Sequence, residues 1–116
     1  MLILNPQIAS EVALTGRRLT PQEALKYQFI NRISSSPETV ITEAVEIAQR
    51  IASLNPDAVI ITKAGIREAW ETGSVEEAFR RTGERYDRAL AESENMMIGL
   101  EAFAGKKKPN WVPSKL

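Results

Sequence analysis

Apolar residues recur at three- and four-residue steps along nearly the whole chain, which is the spacing of one face of an α-helix. The widest apolar stripe comprises Val40, Ile41, Ala44, Val45, Ile47, Ala48, Ile51 and Ala52. Polar residues occupy the positions between these apolar ones. From this pattern we predict six helices, at residues 6–15, 21–27, 37–54, 56–72, 75–92 and 94–104.

Proline after a capping side chain marks four of the predicted helix starts. The four pairs are Asn5-Pro6, Thr20-Pro21, Ser36-Pro37 and Asn55-Pro56. The capping oxygen accepts a hydrogen bond from an otherwise unpaired amide, and a proline at the first helical position has no amide to leave unpaired. Thr20 and Glu23 also have the spacing of a capping box.

One short segment, residues 29–33, has the composition of a strand. An isolated strand has no partner for its backbone, so we expect residues 30–33 to be extended and either unpaired or paired at an edge. From Gly105 onward, Pro109 and Pro113 prevent a helix. We therefore predict an all-α fold, with a helical domain at residues 1–104 and an exposed, extended tail at residues 105–116.

The composition removes several functional classes. The 116 residues contain no histidine and no cysteine, so a Ser-His-Asp triad, a thiolate nucleophile and the usual zinc sites are excluded. Fifteen basic residues balance fifteen acidic ones, and no apolar run is long enough to span a bilayer. We predict no metal, no bound cofactor, no nucleic-acid partner and no membrane partner.

Paired carboxylates are the remaining candidates for acid–base chemistry. The visible pairs are Glu43 with Glu46 and Glu76 with Glu77. The non-catalytic interpretation is the stronger one for both pairs. For Glu76 and Glu77 a solvated, salt-bridged helix face is expected, because arginines follow at four-residue spacing. The expected ion pairs are Glu76–Arg80, Glu77–Arg81 and Glu84–Arg88. We therefore assign no catalytic residue within this chain.

Three lysines, residues 106–108, follow Phe103 at the end of the last predicted helix. Favourable interaction of cations with the helix C-terminus explains them without any ligand. The alternative is an anion site, in which the ring of Phe103 and a neighbouring lysine accept the base and the phosphate of a nucleotide. Both interpretations remain open at this stage.

The chain ends in Ser114-Lys115-Leu116, the tripeptide that the peroxisomal import receptor reads at a free C-terminus. The placement of this tripeptide behind a proline-broken tail suits a signal that a receptor must reach. We therefore expect these three residues to be a targeting signal and the protein to be peroxisomal.

Two stretches carry a family resemblance: ALTGRRLTPQEALKYQFINRI at residues 13–33 and IGLEAFAGKKKPNW at residues 98–111. Both resemble segments of the enoyl-CoA hydratase/isomerase (crotonase) family, as do Asn55-Pro56 and Thr62-Lys63 between them. The matches cover nearly the whole chain in the family's order. The resemblance identifies the chain as the C-terminal portion of a crotonase-like α/β spiral fold, whose helices cover the acyl pocket and contribute to trimer contacts.

This resemblance also implies a function. Crotonase-family enzymes bind acyl-CoA thioesters, and their catalytic amides and carboxylates lie on a spiral core that precedes residue 13, so the isolated chain should be inactive. By motif match, Phe103 and Lys106 correspond to positions near the adenine and phosphate of coenzyme A. A homo-oligomer, either a trimer or a dimer, is expected. The alternative is a non-catalytic truncated or split product that acts as an oligomerisation module.

The sequence departs from the family pattern at two positions. Gln28 replaces a glycine at a place where the backbone tends to be left-handed, so we expect the local turn to differ. Gly105 replaces a larger residue just before Lys106, and we expect it to end the last helix early and loosen the contact with coenzyme A.

Overall fold

A computed structural model of the protein describes residues 6–116, which form six helices and contain no strand. The helices are α1 (Pro6–Thr15), α2 (Pro21–Lys26), α3 (Val40–Ala52), α4 (Pro56–Thr72), α5 (Val75–Ala91) and α6 (Glu94–Ala104). The all-α prediction is confirmed for these residues, and five of the six helices begin where the sequence predicts. The predicted cap Asn5 lies outside the described residues.

The chain divides into two compact units, Met1–Val45 and Glu46–Leu116, with the boundary inside α3. The first unit contains α1, α2 and the start of α3, and the second contains the remaining helices and the tail. The assignment of residues 1–104 to one domain and residues 105–116 to a separate tail stays a prediction. No helix in residues 6–116 is long and apolar enough to cross a membrane.

In the first unit, α2 begins with the predicted capping box. The Thr20 hydroxyl accepts from the Glu23 backbone amide at 3.2 Å, and the Glu23 carboxylate accepts from the Thr20 amide at 3.0 Å. Arg17 connects this box to α1, because its guanidinium lies 2.9 Å from Glu11 Oε1 and 3.2 Å from Glu23 Oε1. The Thr20-Pro21 start is therefore held by both local and helix–helix contacts.

The end of α2 keeps the left-handed turn despite the missing glycine. Gln28 has a φ of 62°, the Phe29 amide donates to Ala24 O at 2.8 Å, and the Gln28 amide donates to Leu25 O at 3.0 Å. These two bonds define a Schellman motif, which satisfies the last carbonyls of the helix. The expectation of a different turn was wrong, because Gln28 accepts the strained conformation.

The start of α3 differs from the prediction. The helix begins at Val40 and not at Pro37, because Ser36 and Thr39 form a turn in which the Ser36 amide donates to Thr39 Oγ1 at 3.1 Å. The Glu43 carboxylate then accepts from both the Ser35 amide and the Thr39 hydroxyl, each at 2.8 Å. Residues 30–33 before this turn belong to no strand, which agrees with the absence of strand pairing that the sequence allowed, and the Ile30 amide donates to Ala24 O at 3.4 Å.

In the second unit, α4 and α5 pack against each other. Asn55 caps α4, as predicted, through hydrogen bonds from the amides of Asp57 and Ala58. The helix ends at Gly73, whose φ of 66° allows the short turn into α5. Gly65 of α4 lies so close to Thr82 of α5 that an added Cβ would meet its hydroxyl at 3.5 Å.

The exposed face of α5 carries a dense set of ion pairs, although with partly different partners from those predicted. The Glu77–Arg81 pair is confirmed at 2.6 Å. The other two predicted pairs were wrong, because Arg80 contacts Glu77 and Glu84, each at 2.6 Å, and Arg88 contacts Glu92. The choice between three- and four-residue neighbours depends on side-chain rotamers, which residue spacing does not determine.

Large apolar side chains remain exposed on several helices. On α3, Val40, Ile41, Val45 and Ile51 are between 47% and 74% exposed. On α5, Val75 and Phe79 are 80% and 81% exposed. Among the residues that the structure describes, the hydrophobic side chain classed as buried is Ala78 alone. The apolar stripes read from the sequence therefore form faces that this chain does not cover by itself.

Candidate functional site

The two predicted coenzyme A contacts lie in one turn at the end of α6. Phe103 is in the last turn of the helix and is 86% exposed, and the Lys106 amide donates to Phe103 O at 3.2 Å. Lys106 is also exposed. The structure therefore brings an uncovered aromatic ring and an ammonium group onto the same short segment.

A second Schellman motif sets the backbone of this segment. The Lys107 amide donates to Ala102 O at 2.9 Å, and Lys106 takes the left-handed position with a φ of 49°. Gly105, which could adopt that conformation at no steric cost, is right-handed with a φ of −80°. The helix ends at Ala104, as predicted, and Gly105 is its C-cap.

The charges around this turn suit an anion. Lys106, Lys107 and Lys108 are all exposed, and no carboxylate within the described residues forms an ion pair with any of them. The partial negative charge of the helix C-terminus stabilises the ammonium groups but does not neutralise them. These groups are available to a phosphate, while the flat face of Phe103 is available to a base.

A second polar cluster forms where α4 and α6 begin. Asn95 and Asp57 are each only 2% exposed, and Asn95 Nδ2 donates to Asp57 Oδ2 at 3.1 Å. Asn95 also pairs with the tail in both directions: Nδ2 donates to Val112 O, and Oδ1 accepts from the Val112 amide, both at 3.0 Å. Asn55 joins the cluster by donating to Asn95 O at 3.3 Å.

The Asp57 carboxylate is kept charged. Burial on its own would raise its pKa, but hydrogen bonding by Ser114, Asn95 and Ser93 outweighs burial and lowers the pKa below its ordinary value. Among the described residues, the hydrogen bond that the Asp57 carboxylate accepts comes from Asn95 Nδ2 to Oδ2, and the buried Oδ1 has no hydrogen-bond partner. The positive ends of α4 and α6 add to this stabilisation.

Part of the tail is fastened to the helices while residues 105–108 stay exposed, so the expectation of an exposed tail holds only in part. Trp111 Nε1 donates to Ser53 O at 2.9 Å, and the indole ring lies against Gly99, where an added Cβ would be only 3.2 Å away. Of the predicted targeting residues, Ser114 is half-buried and Leu116 is 38% exposed. Lys115 Nζ lies 3.5 Å from Glu94 Oε2.

Glu43 and Glu77, one carboxylate from each pair considered for acid–base chemistry, have structural roles. Glu43 accepts hydrogen bonds from Ser35 and Thr39, and these contacts lower its pKa. Hydrogen bonds from Arg80 and Arg81 lower the pKa of Glu77 to about 2. A general acid at neutral pH needs a raised pKa, so neither carboxylate suits that role. No group of carboxylates in residues 6–116 has the arrangement of a metal site.

Sequence reasoning did not single out Asp57 and Asn95, the two most buried polar side chains of the described residues. Each is the second residue of its helix, where polar side chains are common because the first turn has free backbone amides. A polar residue at that position therefore gives no sign of a buried contact. Their contact spans 38 positions of sequence. The one available signal was the motif Asn55-Pro56-Asp57, which places two polar side chains at the start of a single helix.

Comparison with protein families gives a match over nearly the whole chain. The family model described as Enoyl-CoA hydratase/isomerase matches residues 2–114. A mevalonyl-coenzyme A hydratase of Aspergillus fumigatus is 37% identical over 98% of this chain and 42% of the relative. A carnitinyl-CoA dehydratase of Salmonella arizonae is 38% identical over 94% of this chain and 42% of the relative.

Solved structures agree with the sequence matches. An enoyl-CoA hydratase/isomerase from Mycobacterium paratuberculosis superposes with a TM-score of 0.83 at 28% identity, covering 95% of this chain and 43% of that one. A probable enoyl-CoA hydratase/isomerase from Mycobacterium abscessus gives a TM-score of 0.79 at 38% identity, with 93% and 42% covered. This chain spans less than half the length of these relatives. The chain belongs to the enoyl-CoA hydratase/isomerase family.

Proposed function

We propose that this chain is the C-terminal portion of a peroxisomal enoyl-CoA hydratase/isomerase that acts on a double bond of an acyl-CoA thioester. Family membership supports the substrate class. The order of the motifs at residues 13–33 and 98–111 supports the C-terminal position. The observation that carries the proposal is the pairing of exposed Phe103 with unpaired Lys106 in one turn.

In this proposal, the turn after α6 holds the nucleotide end of coenzyme A. The ring of Phe103 stacks on the adenine, and Lys106 contacts a phosphate. A ring that is 86% exposed has an apolar surface that a flat base would cover favourably. The Schellman motif fixes the backbone between the two side chains, so little conformational freedom of the backbone is lost on binding.

The chemistry itself belongs to the part of the enzyme outside this chain. The names of the relatives, a mevalonyl-coenzyme A hydratase and a carnitinyl-CoA dehydratase, favour addition or removal of water over migration of the double bond. Oxyanion-stabilising amides and proton-transferring carboxylates are supplied by the rest of the protein. In this proposal we expect no hydration of crotonyl-CoA by the isolated chain and no bound cofactor beyond the coenzyme A of the substrate.

The peroxisomal location rests on Ser114-Lys115-Leu116, which the import receptor reads at the C-terminus. An alternative function is a non-catalytic oligomerisation module. The exposed apolar residues favour it, since faces such as Val75 and Phe79 of α5 are suited to burial against another chain. The two functions differ in whether the turn at Phe103 and Lys106 binds coenzyme A.

A chimeric enzyme tests the proposal. This chain replaces the segment with which it aligns in the carnitinyl-CoA dehydratase of Salmonella arizonae, and dehydration of carnitinyl-CoA is measured. We expect an active chimera in which Lys106→Ala or Phe103→Ala raises KM about tenfold with kcat nearly unchanged, because the contact is remote from the reacting carbons.

Lys108→Ala is the matched control, because Lys108 is an exposed lysine two positions away and outside the Phe103–Lys106 hydrogen bond. Its KM should stay within about twofold of the parent chimera. An active chimera whose KM is unaffected by Lys106→Ala and Phe103→Ala would remove the proposed coenzyme A contact. A folded chimera without dehydratase activity would count against the C-terminal assignment.

A further inference from the structure

The last residues of the chain are held against α4 and α6 by contacts that do not involve the proposed coenzyme A site. Val112 exchanges two hydrogen bonds with buried Asn95, both at 3.0 Å. Trp111 donates to Ser53 O at 2.9 Å, and its ring lies close against α6. The backbone that leads into the C-terminal tripeptide is therefore fixed.

The tripeptide itself also contacts the helices. Ser114 is half-buried, and its hydroxyl accepts from the Leu116 amide at 3.2 Å. Lys115 pairs with Glu94 of α6 at 3.5 Å, although its side chain is 84% exposed. Leu116 lines a cavity of about 320 Å³ together with Asp57 and Glu94.

A receptor that captures a C-terminal peptide encloses the extended backbone and the terminal carboxylate. Such a groove cannot enclose Lys115 and Leu116 while Lys115 pairs with Glu94 and Leu116 lines the cavity beside Asp57. We infer that the docked tail masks the targeting signal, so that residues 112–116 must detach from α4 and α6 before the import receptor binds. This inference rests on the proposed peroxisomal targeting.

Masking of this kind appears as a loss of apparent affinity. When only a fraction of the molecules has a detached tail, the apparent Kd equals the intrinsic Kd divided by that fraction. The contacts that set this fraction are the paired hydrogen bonds of Val112 with Asn95, the indole bond of Trp111, and the Lys115–Glu94 ion pair. Loss of the part-buried Val112–Asn95 bonds should matter more than loss of the exposed ion pair.

Affinity for the peptide-binding domain of the peroxisomal import receptor tests the inference. Fluorescence anisotropy compares the full chain with a synthetic peptide of residues 107–116. We expect the chain to bind at least about tenfold more weakly than the peptide. Val112→Pro removes the amide that donates to Asn95, so this variant of the chain should approach the affinity of the peptide. The same substitution in the peptide should leave its affinity unchanged.

Two further variants separate unmasking from unfolding. Asn95→Ala removes both bonds to Val112 and should also raise the affinity of the chain, with helix content checked by circular dichroism. Should this variant unfold, Val112→Pro remains decisive because the substitution is confined to the tail. Glu101→Gln, an exposed change elsewhere on α6, should have no effect.

Equal affinities of the unaltered chain and the peptide would overturn the inference while leaving the targeting proposal intact. A Val112→Pro chain that binds no better than the unaltered chain would also overturn it. A peptide that the receptor domain does not bind at all would contradict the targeting proposal, and the masking inference with it.

Discussion

Two residues with side chains take left-handed conformations that glycine usually fills at helix ends. Gln28 follows α2 with a φ of 62°, and Lys106 follows α6 with a φ of 49°. Each Schellman motif satisfies helix carbonyls that would otherwise be unpaired, and this gain offsets the steric cost of the Cβ. At Lys106 the same backbone places a cation three residues after Phe103, and the proposed coenzyme A contact lies there.

Replacing Gln28 with glycine should stabilise the protein. Gly relieves the contact of Cβ with the backbone, and we expect the free energy of unfolding in urea to rise by about 1 kcal/mol. The matched reverse change is Gly73→Ala, at a φ of 66° with nothing within 4 Å of the added Cβ, which should lower it by about the same amount. If Gln28→Gly destabilised the protein, a contact of the Gln28 side chain would contribute more to the free energy of unfolding than the left-handed backbone costs.

Residue patterns predicted most helix boundaries because the signals are local. Thr20 and Asn55 each cap a proline-led helix, and their hydrogen bonds lie within three residues of the cap. Ser36-Pro37 carries the same signal, yet α3 starts three residues later. There the Glu43 carboxylate accepts from the Ser35 amide and the Thr39 hydroxyl accepts from the Ser36 amide, and the turn that these bonds form ends only at Thr39.

The docking of the tail could not be read from the sequence. The Asn95–Asp57 and Asn95–Val112 bonds join positions 38 and 17 residues apart. Nothing in the local pattern shows that a polar residue in the first turn of a helix will be buried, because the same residue types serve exposed helix starts equally well. Prolines in the tail predicted the absence of a helix but gave no information about where the tail lies.

On α5, ionised Glu77 forms ion pairs with Arg80 and Arg81, and the stabilisation of the fold by these pairs should depend on pH. Its pKa is lowered from 4.5 to about 2 by hydrogen bonds from Arg80 and Arg81. A depressed pKa means that the charged carboxylate stabilises the fold above pH 4.5, and that this stabilisation is lost as the pH falls toward 2. Glu77→Gln should therefore lower the Tm slightly at pH 7, with the difference shrinking through this range.

Glu76→Gln is the matched control, because Glu76 is the neighbouring residue and forms no ion pair with Arg80 in the described structure. The Tm of the Glu76→Gln protein should equal that of the unaltered protein at pH 7 and at pH 2. A Glu77→Gln protein whose Tm difference persists unchanged at pH 2 would show that the charge of Glu77 is not what stabilises α5.

For the whole molecule, the distribution of apolar surface is the central feature. Exposed large side chains lie on every helix except α2 at above 45% exposure, while Ala78 is the one hydrophobic residue of the described chain classed as buried. Protein monomers rarely leave contiguous apolar area of this kind in water. The chain also spans less than half the length of its relatives. Both observations suit helices that cover other protein surface.

Sedimentation equilibrium of the purified chain at micromolar concentration tests this claim most directly. We expect a mass above that of the 12.9 kDa monomer, because association covers the exposed faces. Phe79→Ser should raise the dissociation constant of the oligomer about tenfold. Ala91→Ser, an exposed change at the end of α5, should leave that constant unchanged. A clean monomer mass for the unaltered chain would contradict the account, since its apolar faces would then need no partner.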